Sequence, residues 1–290
     1  MQKLIIEAAI NEATSKDLNP NIPYGPEEIA RDAVECAKAG ASIIHFHARD
    51  PQSGDQRWID ADLYAESYRL IQRECAAILY PTYSASLPMK ERHSHVAALG
   101  RDKSVRFEMA TIDLGAVNMA SFDPKTKQWG RDFVYNNPHS EVMEFFRMAK
   151  DLDISYNLGI REPGHLRHAL AYYEMGILRE PLNIKFFFTD KHPYGLPPTV
   201  RGLQAYLEML PPGLPHAWFI QSYGETHALM EALAITMGGH VRTGIGDNAR
   251  MDGKAVTSAK QVERFATISR KFGREVATPA EARMMLGIPG

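Results

Sequence analysis

Ser42-Ile43-Ile44-His45-Phe46-His47-Ala48-Arg49-Asp50 is an apolar run of strand length that stops abruptly in charged residues. Side chains alternate along a strand, so residues two apart share a face, and His45 and His47 point the same way. Two imidazole donors on one wall of a site suit a borderline-soft divalent metal. The competing reading is a pair of hydrogen-bonded histidines at a sheet edge. The chain carries its own control, His93-Ser94-His95, inside a helical stretch over 89–101. Residues two apart on a helix do not face each other, so these two are expected to be surface or packing histidines.

Outward from this run the same pattern repeats. Apolar, β-branched or aromatic runs at 4–11, 42–49, 77–83, 105–113, 154–160, 182–190, 216–223 and 240–246 alternate with segments of helical periodicity. The helices are expected at 26–39, 60–75, 89–99, 138–152, 164–175, 199–210, 226–237 and 257–272. The first opens with Pro26-Glu27-Glu28 and stops at Gly40, the proline-first, glycine-last asymmetry of helix ends. Eight strand–helix units predict an α/β TIM (β/α)8 barrel, with its active site at the carboxyl ends of the strands. An open doubly wound sheet would usually show a glycine-rich turn after the first strand, where this chain has Asn11-Glu12-Ala13-Thr14. Two segments interrupt the alternation. Residues 119–137 read as a short two-stranded excursion after strand 4, able to cover the site or make a subunit contact. Residues 277–290 read as a C-terminal helical tail opened by Thr278-Pro279. With no linker or repeat, 1–290 is expected to be one domain.

The bulk numbers exclude several classes. Hydrophobic residues are 44% of the 290, and the net charge of −2 comes with no dense basic run, so a nucleic-acid partner has no electrostatic driving force. The two cysteines, Cys36 and Cys75, form no C-x-x-C pattern, which argues against a disulfide framework and for a reducing compartment. No run reaches the roughly 18 apolar residues of a membrane span, and the first strand has no leader ahead of it. The expectation is a cytoplasmic protein without a membrane partner.

Closing a barrel brings the eighth strand beside the first, and the first beside the second. The ends that meet are His45 and His47, Asn11-Glu12, and Arg242-Thr243-Gly244-Ile245-Gly246-Asp247. Two imidazoles need at least one more ligand, most economically a carboxylate, and Glu12 and Asp247 are in reach. Arg242 shares a face with Gly244 and Gly246 and can point inward to meet a carboxylate, from a substrate or from Asp247. A structural Arg242–Asp247 pair is the alternative. Thr111 on the fourth strand and Thr82, Tyr83 and Ser84 after the third add hydroxyls, although turn duties explain most such residues. Glu108 and Glu162 are further possible barrel-wall carboxylates.

Ordered along nearly the whole chain are Ala8-Ala9-Ile10, Pro26-Glu27-Glu28-Ile29-Ala30, Ala39-Gly40-Ala41 before His45-Phe46-His47-Ala48-Arg49, Glu108-Met109-Ala110-Thr111, Gly238-Gly239-His240-Val241-Arg242, Asp247-Asn248 and Ala277-Thr278-Pro279. In these the chain resembles the β-keto acid cleavage enzymes. The resemblance implies a TIM barrel, usually a homotetramer, with a divalent metal, commonly Zn2+, on His45 and His47. It implies a transferase that converts a β-keto acid and acetyl-CoA into acetoacetate and a new acyl-CoA. It further implies Asp247 as the base at the α-carbon, Arg242 as the residue that tunes and orients it, and Thr111 in the substrate pocket. Thr82, Ser84 and Asn11 complete the expected substrate-binding set.

Two departures stand out against the family pattern. Gly246 replaces a metal-binding glutamate, and Thr14 replaces a substrate-contacting glutamate. Glu12, in turn, stands where the pattern has glycine, so the lost carboxylate could return from the adjoining strand. Without an acid at Thr14, an amino-substituted substrate is disfavoured against a neutral or differently charged β-keto acid. The rival enzyme class, a metal-dependent amidohydrolase, would carry H-x-H on its first strand and further histidines on the fifth and sixth. Here H-x-H is on the second, the fifth ends in Gly159-Ile160-Arg161, and His192 alone follows the sixth.

Overall fold

In a computed structural model, residues 2–130 and 132–289 are described, Met89 and Lys90 by backbone alone. Arg131, inside the expected excursion, and Gly290, at the end of the expected tail, lie outside the described residues. Eight parallel strands make the barrel wall: β1 Ile6–Ala9, β2 Ile43–Phe46, β3 Ile78–Pro81, β4 Met109–Asp113, β5 Ser155–Ile160, β6 Leu182–Thr189, β7 His216–Tyr223 and β8 His240–Thr243. Their hydrogen-bonded order is β3-β2-β1-β8-β7-β6-β5-β4. β3 and β4 lie against one another at the seam without a ladder between them, so the barrel is nearly closed.

Register sets the site. β1 pairs with β8 on one side, Ala8 opposite Thr243, and with β2 on the other, Ala9 opposite His45. Parity along each strand then divides the side chains. Ile6, Ala8, Ile44, Phe46, Leu79, Ile112 and Val241 face the helices in the main apolar core. Ile5, Ile43, Ile78, Met109, Ala217 and Phe219 point into the barrel near its amino end.

The helices obey local chemistry. The helix Pro26–Ala39 buries Ile29, Ala33 and Cys36, spaced for one face, and terminates where Gly40 takes φ 119°, a conformation that disfavours any side chain. Asp60 caps Ala61–Glu74 by accepting from the Leu63 amide. The tail helix Pro279–Leu286 carries a full capping box, Thr278 with Glu281, and sets Ala282, Leu286 and the following Ile288 against the apolar amino-end residues as a floor.

Three expectations need adjustment. The helix expected over 89–99 is split into Met89–Arg92 and Ser94–Arg101, because the buried His93 turns inward against Tyr83 and Phe145. The excursion starts earlier than expected, at Gly115, and is two ribbons in series: Gly115–Asn118 with Val134–Asn137, then Phe122–Asp123 with Gln128–Trp129. A small ribbon after β8, Arg250–Met251 with Lys254–Ala255, was not anticipated, although Asp252-Gly253 is a turn dipeptide. Cys36 and Cys75 are both free, and no helix among the described residues is long and apolar enough to cross a membrane.

Candidate metal centre and active-site cavity

His45 lies one residue before the end of β2, and His47 follows just beyond the ladder, where backbone direction must be held by something else. Asn11 does this: the His47 amide donates to Asn11 Oδ1 at 2.8 Å, and Asn11 Nδ2 donates to the His47 carbonyl at 2.9 Å. The next residue, Glu12, adopts φ 44°. A non-glycine residue in that left-handed region is disfavoured by roughly 1–2 kcal/mol and persists only where surroundings hold it. Its carboxylate sits between the two imidazoles, Oε1 at 2.9 Å from His45 Nε2 and Oε2 at 3.1 Å from His47 Nε2.

The far sides of both rings fix the tautomers. His45 Nδ1 faces the Tyr80 carbonyl at 3.1 Å and His47 Nδ1 faces Gln56 Oε1 at 2.9 Å. Opposite acceptors, each Nδ1 carries a hydrogen, so in the neutral ring the Nε2 lone pair is the one aimed at Glu12. Gln56 is itself anchored, donating to the Glu12 carbonyl at 2.7 Å. Burial pulls the His45 pKa down to about 4, against the attraction of Glu12, so this ring is neutral near pH 7. His47 Nε2, though close to Glu12, is buried without a hydrogen bond of acceptable geometry. Two imidazole nitrogens, one of them orphaned, around a carboxylate are a donor set for a divalent cation, and the three donor atoms lie within 4.8 Å of one another.

Beside this group lies a second, entirely buried one. Arg242 spreads its five donors over it: Nε to Asp247 Oδ2 at 2.7 Å, one terminal nitrogen to Asp247 Oδ1 at 3.0 Å and to Glu12, the other to Glu7 and the Tyr80 hydroxyl, both at 2.9 Å. Lys185 Nζ reaches Glu7 at 2.7 Å and Tyr80 at 2.6 Å, and Tyr80 donates to Glu7. Burial works to raise the pKa of Glu7, but Lys185 and Arg242 outweigh it and hold it at about 2. Burial pulls Lys185 down to about 8 despite Glu7. Burial also raises Asp247, where it prevails over Arg242, while Glu12 is held well below the usual carboxylate range, with the Arg242 guanidinium the largest charge acting against burial. With the histidines counted as neutral donors, two cations, Lys185 and Arg242, face three carboxylates, Glu7, Glu12 and Asp247. On that count one negative charge is in excess in a largely buried site, and uncompensated buried charge is costly by several kcal/mol.

Gly246 explains the placement of Glu12. A Cβ at position 246 would come within 2.8 Å of Glu12 Cγ and of the Asn11 amide nitrogen, and within 2.9 Å of the Ala9 carbonyl oxygen. The space beside β1 therefore holds one side chain, from Glu12 or from position 246.

The mouth opens into a cavity of about 130 Å³ bounded by Glu12, His45, Tyr80, Thr82, Thr111, Lys185 and Arg242 on the side of the charged groups. Its far side is formed by Asp113, Arg161, Phe187 and Tyr223, and the excursion adds Met119, Phe133 and Tyr135. Of the expected substrate-binding residues, Thr82 and Thr111 line it, and Thr111 Oγ1 is oriented by donating to Asn157 Oδ1 at 2.6 Å. Asn11 and Ser84 do not. Asn11 is fully buried with its amide committed to the backbone of Pro23 and His47, and the buried Ser84 hydroxyl accepts from the Ser86 amide in a turn. Thr14 donates to the Gly246 carbonyl at 2.6 Å, tying the loops after β1 and β8. Glu108 is engaged by Arg283 and Arg106, and Glu162 accepts from the Gly195 amide. His93 and His95 are buried packing residues, and His192 faces the Ala120 carbonyl. The fifth and sixth strands thus bring no histidine to the mouth, contrary to the amidohydrolase arrangement.

A family model described as beta-keto acid cleavage enzyme matches residues 3–288. The chain belongs to this family. A 3-keto-5-aminohexanoate cleavage enzyme of Fusobacterium nucleatum is 30% identical over 292 residues, covering 99% of each chain. A 3-dehydrocarnitine:acetyl-CoA trimethylamine transferase of Rhizobium meliloti is 26% identical over 285 residues, covering 92% of this chain and 90% of that one. Among solved structures, apo ObcA superposes with a TM-score of 0.72 at 19% identity over 93% of this chain and 66% of its own, a likeness of fold.

In this member of the beta-keto acid cleavage enzyme family, Glu7, Tyr80, Lys185, Gln56 and Arg161 escaped the sequence reading as site residues. Glu7 and Lys185 had left a trace: each is a lone charge inside an apolar strand, Ile5-Ile6-Glu7-Ala8 and Ile184-Lys185-Phe186. A charge there has to face inward and be paired.

Proposed function

We propose that the protein is a metal-dependent β-keto acid cleavage enzyme that combines a β-keto acid with acetyl-CoA to give acetoacetate and a new acyl-CoA. Family membership and relatives named as acetyl-CoA transferases support the reaction class. The observation that carries the metal is the Glu12–His45–His47 donor set within a buried group one negative charge in excess. A divalent ion held there, zinc by the nitrogen and oxygen character of its donors, supplies Lewis-acid polarisation of the keto acid's oxygens.

The chain's residues supply the rest. Asp247, its basicity raised by burial, is assigned as the base for the carbon between the two carbonyls; its side chain is 1% exposed and sits behind Arg242, which has to admit the substrate to it. Arg242 holds both Asp247 oxygens, so the base keeps one orientation and its negative charge is offset when the substrate arrives. Glu7, Tyr80 and Lys185 fix Arg242 from below. Thr82 and Thr111 offer hydroxyls to the substrate. The resulting carbanion forms a bond to the acetyl carbonyl carbon and CoA leaves as thiolate; the CoA sulfur then bonds to the former keto carbon, the bond from that carbon to the one first deprotonated breaks, and the electron pair left there takes back the proton from Asp247. Acetoacetate keeps the first two carbons of the keto acid and the acyl-CoA keeps the remainder.

In this reading Glu12 takes over the carboxylate that Gly246 cannot provide, at the expense of a left-handed backbone. Glu12→Gln keeps the volume and removes the charge, and is expected to weaken zinc binding in a titration against a chromogenic chelator. Unchanged zinc affinity would remove Glu12 from the donor set. The proposal extends to one domain over 1–290 and to a cytoplasmic homotetramer. The two free cysteines support the reducing compartment, and the exposed Phe122 and Trp129 of the excursion support a subunit contact. The reaction itself is tested by incubating zinc-loaded protein with a panel of β-keto acids and acetyl-CoA. Acetoacetate and acyl-CoA in equal amounts are expected, whereas free CoA without acyl-CoA would contradict the transfer.

A further inference from the structure

On the wall of the cavity away from the histidines, Arg161 directly follows β5. It is stacked over the Phe187 ring, guanidinium carbon 3.8 Å from the centroid, with Nε donating to Asp113 Oδ2 at 3.0 Å and one terminal nitrogen to the Tyr194 hydroxyl at 3.2 Å. The other terminal nitrogen has no hydrogen-bond partner among the described residues. The side chain is 13% exposed, and that exposure is to the cavity it lines. A guanidinium pinned at Nε, flattened on an aromatic ring and open at its outer edge is pre-organised to receive an acceptor without losing rotamer freedom. We propose that Arg161 binds the distal carboxylate of the substrate, so that the preferred substrates are β-keto diacids.

This rests on the reaction proposed above. The carboxyl and keto oxygens of a β-keto acid are close enough to share one ion, so the chain beyond the keto carbon is the part that extends away from His45 and His47. β2 and β5 are separated by β3 and β4 around the mouth, and Phe187, Tyr83 and Tyr135 give the route between them an apolar floor for methylenes. A tail ending in ammonium would meet the Arg161 charge, while Asp113, the acid on that wall, is already engaged by Arg161. A methyl end would leave the open N–H edge unpaired. A carboxylate satisfies it with a charge-assisted bond.

The test compares β-keto acids of about five to seven carbons that end in carboxylate, methyl or ammonium. Two readouts are taken on the zinc-loaded protein: kcat/KM with acetyl-CoA, and calorimetric Kd of each acid without acetyl-CoA. Wild type is expected to favour the diacid over its methyl counterpart by about tenfold to a hundredfold, the range of a hydrogen bond to a charged group. Arg161→Gln should erase that preference while changing the methyl acid less than about threefold. Asp113→Asn, which frees the guanidinium, should keep or widen it, separating recognition from damage caused by breaking the ion pair. An equal loss for all acids in Arg161→Gln would place Arg161 on a group common to every substrate and overturn the proposal, as would a wild-type preference for the methyl or ammonium acid. If no acid is turned over, the reaction fails, and the binding readout alone still decides for or against Arg161.

Discussion

The two ends of this barrel are built from the same strands and do opposite work. At the amino end Ile5, Ile43, Ile78, Met109, Ala217 and Phe219 meet Ala282, Leu286 and Ile288 of the tail, a floor made of apolar contact. One or two pleats higher the same strands present Glu7, His45, His47, Tyr80, Thr111, Gln221 and Arg242. Side chains two apart share a face, so β1, β2, β3, β4 and β7 pass from an apolar to a polar or charged layer on their inner sides. The floor contributes stability through burial, whereas the mouth gathers desolvated charge that stability alone would not favour. Substitutions should therefore separate: chemistry lost without the fold at the mouth, the fold weakened without the chemistry at the floor.

The largest effect expected at the mouth is in the double variant His45→Ala, His47→Ala, which should lose metal and turnover together while its circular dichroism stays native. Elemental analysis checks it, and full metal occupancy in that variant would break the comparison. Next, Asp247→Asn should lower kcat by about a hundredfold to ten-thousandfold, the range of a positioned general base, with zinc still bound. Near-wild-type turnover would return Asp247 to a structural partner of Arg242. At the floor, Leu286→Ala should lower unfolding free energy by about 2–5 kcal/mol in urea, with kcat of the folded protein within about twofold of wild type. A comparable loss of kcat would show that floor and mouth are coupled.

The smallest effect concerns acid. His240, near the floor, accepts from the Ile5 amide at 3.1 Å and is held neutral by burial, its pKa pulled down to about 3. The folded value lies below the unfolded one, near 6.5, so the unfolded chain takes up the proton first. Stability should be full above pH 6.5 and decline as pH falls from there towards 3. Urea midpoints across that range should show a shallower slope in His240→Gln than in wild type, and parallel slopes would remove His240 from the effect.

What could be read in the sequence follows the range of the interactions involved. The eight strands, the H-x-H face, and the Arg242 and Asp247 pair are local patterns of parity and spacing, and all reappear in the structure. The convergence of Glu7, Tyr80, Lys185 and Arg242 depends on barrel closure, which brings together residues up to 235 positions apart, as in Arg242 with Glu7. Asn11 and Ser84 look like site residues because they follow strand ends, yet both serve the backbone. Arg161 was visible only as the end of a strand, since its role as a cavity wall depends on Phe187 and Asp113 from neighbouring strands. The exchange of Glu12 for a side chain at 246 could be suspected from the sequence. Its physical basis, a positive φ and a missing Cβ in one shared space, is a property of the folded chain.

The central claim is that Glu12, His45 and His47 form one metal centre. The most direct measurement is a crystal of zinc-loaded protein with diffraction recorded on both sides of the zinc absorption edge. The account predicts a single strong anomalous peak about 2.0–2.2 Å from His45 Nε2, His47 Nε2 and a Glu12 carboxylate oxygen. A peak on the histidines with Glu12 turned away to Arg242, or no peak at the barrel mouth, would contradict it.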